Sequence, residues 1–253
     1  MNEGRHPTEG AASDLIAWDQ YWGSLFSDLT MLNEDDRQAH QRLAEIGGRD
    51  LDIARHIRSA YGTDAPSRPP LTMRDAIDES GFDLVRGYGL ARSFVLACGS
   101  EGADVAEHPF WQRAMAVAVL SWQLAAKHGQ YEQWALAAGL VAEIGYLHLL
   151  RSGQSAKGGA ATAHDLGREF VNGLDLPLPL RDVFDLPPDG GLAELVGEAS
   201  SRATTFGYHH VGAADGASEN GPFANPTRGL KSAQMLRTTI PSLLACAGID
   251  TES

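Results

Sequence analysis

The sequence is poor in cysteine and lysine, and it has neither long apolar runs nor alternating strand patterns. The two cysteines, Cys98 and Cys246, sit among small apolar neighbours and form no Cys-x-x-Cys or Cys/His cluster. They read as buried thiols in a reducing compartment, and they offer no zinc framework. Only three lysines occur, Lys127, Lys157 and Lys231, so most of the positive charge is arginine. With a net charge of −13 and no basic run, the surface would repel a phosphate backbone, which argues against nucleic acid as a direct partner. No stretch approaches the ~18 uninterrupted apolar residues of a membrane span, and residues 1–13 lack an apolar signal core. The expectation is a cytoplasmic protein that does not enter a membrane. No segment alternates with a period of two, and no internal repeat is visible.

What is present is helical periodicity. Residues 1–13 read as a loose tail. From Asp14 to Leu32, with Ser13 as N-cap, Trp18, Tyr21, Trp22, Leu25, Phe26 and Leu29 share a helical face. That face either packs on the protein's own core or docks a partner or second subunit, through Trp18, Tyr21, Trp22 and Phe26. Residues 34–61 predict two short helices broken at Gly47-Gly48, and the prolines of 63–70 a loop. Thr72 and Asp75 form a capping-box-like start, and Ser80-Gly81 a stop. Residues 82–96 predict a buried helix interrupted near Gly87 and Gly89.

The strongest pattern runs from Pro109 to His128, where Trp111, Met115, Ala118, Trp122 and Ala125 recur at intervals of four and three. Tyr131 to Leu150 repeats it as one further helix. Both segments are apolar almost all round, so they should be the core pair, brought close by Ala114, Ala118, Ala137 and Ala138. A Gly/Ala/Ser-rich loop follows at 152–163, then a short helix from His164 and a start at Leu176-Pro177-Leu178-Pro179. An amphipathic helix covers 190–205, and a Gly/Asn-rich loop leads to a last helix over 231–247. The fold class is therefore all-α, a compact multi-helix bundle. The domain reading is a tail (1–13), an N-terminal helical segment (14–49), a core (50–208), a loop (209–230) and a C-terminal helix and tail (231–253).

Several motifs suggest chemistry. Gly153 to Gly159 has the glycine spacing of a phosphate loop but lacks the Lys-Ser/Thr pair and a preceding strand. Ser155 lacks the glycines of a nucleophile elbow. His164-Asp165 is a His-Asp pair, which holds a metal only if other helices bring more ligands. His209-His210 reads as a pair of exposed loop histidines.

The order of motifs resembles the HDOD domain, the HD-related output domain of bacterial signalling proteins, over roughly residues 50–208. Arg58-Ser-Ala-Tyr-Gly62 is similar to its Asn-Ser-Ala-x-x-Gly stretch, and Ala76-Ile77 with Gly81 to its Ala-Ile-x-x-Leu-Gly. Phe110-Trp111 with Ala114 and Ala118 resembles the Trp-led helix, and Gly139-Leu-Val-Ala-Glu-Ile-Gly145 the Gly-Leu-Leu-His-Asp-Ile-Gly motif. His164-Asp-Leu-Gly167 is similar to the His-x-x-Val-Gly segment, and Leu176-Pro177 to its Leu-Pro. The family's usual Leu-Pro-rich opening helix and Asp-Pro motif are not recognisable.

The resemblance implies that the His-Asp position of the fold is Ala142-Glu143 and not His164-Asp165. It also implies that Arg113 stands at the first histidine, that Asp185-Leu-Pro-Pro188 replaces the later histidine pair, and that Ser200 replaces the closing aspartate. An HD-type hydrolase needs several His and Asp ligands to hold a divalent ion and activate water. The expectation is thus no catalytic residue, no bound metal and no cofactor. What remains is a vestigial cleft at Arg113, Glu143 and His164, with Arg113 and Glu143 as an ion pair. By analogy the function is a non-catalytic regulatory module that binds a signalling protein, with a homo-oligomer or a nucleotide as further partners. The alternatives are a divalent-metal phosphohydrolase and a sensor of an anionic small ligand.

Overall fold

The structure, a computed structural model, describes residues 16, 18–32, 38–47, 73–100, 107–153, 160–184, 191–210 and 230–249. Among these residues there are helices and no strands: α1 (Gln20–Met31), α2 (Ala39–Gly47), α3 (Met73–Ser80), α4 (Phe82–Ala97), α5 (His108–His128), α6 (Glu132–Ala142), α7 (Ile144–Arg151), α8 (Ala160–Asn172), α9 (Leu178–Arg181), α10 (Leu192–Thr205) and α11 (Leu230–Cys246). A 3₁₀ turn, Asp182–Phe184, follows α9. The expected N-cap Ser13, the Arg58–Gly62 motif, the proline loop, the glycine-rich 154–159 stretch, Asp185–Pro188 and the 211–229 loop lie outside the described residues.

Helix α5 is the axis. It packs against α6, α10 and α11, and a second layer is made by α1 on α4, α8 on α7 and α2 on α3. Trp111, Met115, Ala118 and Ala125 are buried at the helical spacing read from the sequence. The core pair approaches closely because a Cβ at Gly139 would lie only 2.5 Å from the Ala118 Cα. Pro109 near the start of α5 needs no amide donor, and Gly129 ends the helix in the left-handed region at φ 64°.

Three expectations change. The first helix is shorter than read: Asp19, not Ser13, caps it, accepting from the Tyr21 and Trp22 amides. Helix α4 is continuous through Gly87 and Gly89, which sit where Cβ atoms would come within 3.1 Å of Leu136 and Leu29. These glycines are close-approach points between helices and not breaks. The single helix expected over Tyr131 to Leu150 is two, because the backbone turns at Glu143, at φ −87° and ψ −6°. The turn lays α7 on α8, where Gly145 faces the Ala163 carbonyl so tightly that no Cβ fits. The Glu132–Arg151 stretch is long and apolar enough to cross a membrane by length and composition, but 72% of its 18-residue apolar window is buried inside this fold.

Candidate functional site

The break at Glu143 is the centre of the site. It turns a carboxylate inward between helices, where its side chain is 3% exposed. Arg113, one turn into α5, meets it from the opposite side, with Nε donating to Glu143 Oε2 at 3.0 Å. The same guanidinium donates from Nη2 to Ser200 Oγ at 2.7 Å and from Nη1 to Thr204 Oγ1 at 3.2 Å, both on α10. Nη1 also donates to the Tyr208 carbonyl. One arginine thus joins α5, the α6–α7 turn, α10 and the segment that follows it. A cation held this way is hydrogen-bonded on every nitrogen, which is what burial demands.

The segment 208–210 closes the site. The Tyr208 amide donates to the Ala203 carbonyl at 3.0 Å, so the chain folds back over the end of α10. The His210 ring then stacks on Tyr146 with centroids 3.5 Å apart and planes 16° from parallel. Its Nδ1 stands 3.4 Å from Glu143 Oε2 and has no hydrogen-bond partner among the described residues.

Burial pushes the Glu143 carboxyl above the usual range, opposed by the charge and hydrogen bond of Arg113 and by Ser200. Burial, with the Arg113 charge and His209, holds His210 neutral and lowers it to about 3. Tyr146 is pushed up by burial and by Glu143.

The structure brings Arg113, Glu143 and Ser200 together and leaves His164 out. His164 lies on α8 with its ring edge-on to Phe184 at 5.4 Å, and its Nδ1 is 4.0 Å from Asp165. Among the described residues no hydrogen bond or ion pair joins it to Arg113 or Glu143. In its place stands His210, which the sequence marked as a loop histidine; its side chain is 21% exposed and packed into the site. No motif in the sequence points to Thr204, Tyr146 or the Tyr208 carbonyl. The only signal for them was proximity in sequence to the Gly139–Gly145 frame and to Ser200.

The aromatic N-terminal face is mostly internal. Phe26 is fully buried against Phe94 at 5.2 Å, and Trp18, which precedes α1, packs edge-on to Phe94 and Phe170 at 6.1 and 5.8 Å. Trp22 is half-buried, and only Tyr21, 55% exposed, turns outward. Of the two readings of this face, Phe26 and Trp18 follow the one in which an amphipathic stripe closes the protein's own core.

A second polar cluster clamps the far end of α7. Arg151 pairs with Glu107 at 2.8 Å, and donates to the Cys98 carbonyl at 2.7 Å and to Ser100 at 2.6 Å. Burial alone would raise the Glu107 carboxyl, but Arg151, Trp111 and Ser100 together bring it below its ordinary value.

Among the described residues no group of three His, Cys, Asp or Glu side chains is placed to hold a metal ion. The residues of the central site do not fit a divalent cation either. The one carboxylate is neutralised by a guanidinium that brings its own positive charge to the same spot.

A comparison with curated proteins finds no match. Among solved structures, the chain is similar to a Shewanella amazonensis SB2B protein named as a phosphohydrolase. That likeness has a TM-score of 0.55 and 16% identity, covering 88% of this chain and 93% of that one. It is also similar to a Marinobacter aquaeolei VT8 protein named as a signal transduction protein, with a TM-score of 0.58 and 14% identity. There it covers 96% of this chain but only 62% of the other. At these identities the likeness carries the fold. The HDOD domain family matches residues 28–163, starting earlier than the motifs suggested, inside α1, and ending just before His164. Since that match spans more than half of an all-helical chain whose Gly139–Gly145 frame encloses the site, the protein belongs to the HDOD domain family.

Proposed function

We propose that the chain is a non-catalytic signalling module that acts by binding a partner protein. The observation that carries this reading is the Arg113 guanidinium, which joins Glu143, Ser200, Thr204 and the Tyr208 carbonyl where a hydrolase of this fold would gather metal ligands. Catalysis by a divalent ion needs open coordination positions and a bound water. Here a fixed cation fills the space and uses the carboxylate. An anion-sensing role is disfavoured because the Arg113 charge is already matched by Glu143 at 3.0 Å.

The competing reading is a metal phosphohydrolase, the activity by which the Shewanella protein is named. Hydrolysis of bis(p-nitrophenyl) phosphate with manganese separates the two. The regulatory reading expects no turnover above a metal-only control. Turnover that disappears in Glu143→Gln would overturn it.

A further inference from the structure

The segment Tyr208–His210 covers the Arg113–Glu143 pair in three chemical roles. The His210 ring lies flat on Tyr146 at 3.5 Å. Its Nδ1 stands 3.4 Å from the Glu143 carboxylate, yet no hydrogen bond satisfies it among the described residues. The Tyr208 carbonyl accepts from Arg113 Nη1. A flat ring, a ring nitrogen turned to a carboxylate and a carbonyl oxygen on a guanidinium are all supplied by three consecutive residues.

The fit is incomplete at one point. A buried ring nitrogen beside a carboxylate without a hydrogen bond is a cost, not a gain. A ligand that offered an N–H at that place would do better than the strap. Because Arg113 and Glu143 neutralise each other, the cleft favours a neutral ring over a phosphate.

We propose that Tyr208–His210 is a displaceable strap occupying a site for an oxopurine base, a guanine nucleoside or nucleotide, recognised through its ring. The oxopurine edge sets a carbonyl oxygen beside a ring N–H. The oxygen would take the Arg113 donor now spent on Tyr208, the N–H would reach Glu143, and the ring would replace His210 on Tyr146. Adenine lacks the carbonyl and so should be refused. In signalling terms, ligand binding would lift the strap from the end of α10. The inference rests on the non-catalytic reading of the same cleft.

The test is calorimetric titration of the full chain with guanosine and with adenosine, for the wild type, His210→Gly and Tyr146→Leu, each checked for fold by circular dichroism. Guanosine should bind His210→Gly about tenfold more tightly than wild type, since the strap no longer competes. Tyr146→Leu should weaken it about tenfold through lost stacking. Adenosine should bind at least about tenfold more weakly than guanosine, because the Arg113 donor is left unmatched. No binding to folded His210→Gly, or equal binding of both nucleosides, overturns the proposal. If His210→Gly does not fold, the wild type decides. Guanosine must then shift the His210 ring resonances in the NMR spectrum, and unchanged resonances overturn the proposal. Flat titrations refute this ligand alone, whereas metal-dependent turnover refutes the reading beneath it.

Discussion

Replacing Arg113 with methionine removes one of two buried charges and leaves Glu143 alone. The pair is almost wholly enclosed, at 2% and 3% side-chain exposure, so solvent does not substitute for the lost partner. Breaking a buried pair by removing one member costs about 3–5 kcal/mol, a large share of the 5–15 kcal/mol that holds a domain folded. The cost depends on pH in a known direction. Burial already raises the Glu143 carboxyl, and losing Arg113 raises it further. Above the unfolded carboxyl value the unfolded chain releases its proton while the folded chain keeps it. Stability therefore falls as pH rises, by up to about 1.4 kcal/mol per unit until the folded carboxyl ionises. Urea melts of Arg113→Met by far-ultraviolet circular dichroism at pH 5.5 and 8 read this directly. The variant should lose more stability at pH 8 than at pH 5.5. The double variant Arg113→Met/Glu143→Leu should recover most of the loss, because two apolar side chains leave no buried charge. A single variant as stable as wild type at both pH values would refute the reasoning.

Other outcomes follow from the same geometry. His210 is held near pH 3, below the ordinary imidazole value, so wild-type stability should decline as pH falls from about 6.5. His210→Gln should flatten that decline in acid melts. Gly139→Ala would set a Cβ 2.5 Å from the Ala118 Cα and should cost about 1–3 kcal/mol, read as a lowered Tm. Cys98 is fully buried, and burial pushes its thiol far up, so peptide mapping after maleimide labelling should find it unmodified until the protein is denatured.

The helical fold was legible where periodicity was strong. Trp111, Met115 and Ala118 announced α5, and Leu192, Leu195, Val196 and Ala199 announced α10, since the burial stripe is written into their spacing. The turn at Glu143 was not legible, because Val141 to Leu150 reads as apolar helix on both sides of it. The turn is imposed by the close seating of Gly145 on Ala163, which is a tertiary fact. The Arg113–Glu143 pair followed from the resemblance alone, yet its other partners did not. Thr204 and the Tyr208 carbonyl enter the site through the way the chain folds back at the end of α10. His164 was placed in the cleft by the resemblance to the His-x-x-Val-Gly segment, while its helix carries it against Phe184. The N-terminal aromatic stripe left two readings open, a partner or the protein's own core, and Phe26 and Trp18 pack on the core.

The proposed reading has Arg113 standing where a metal-dependent protein of this fold would hold its ion. Calorimetric titration of the chelator-treated full chain with manganese tests it most directly. The account predicts no saturable binding in wild type and none in Glu143→Gln. One-to-one binding in wild type that is lost in Glu143→Gln would contradict it.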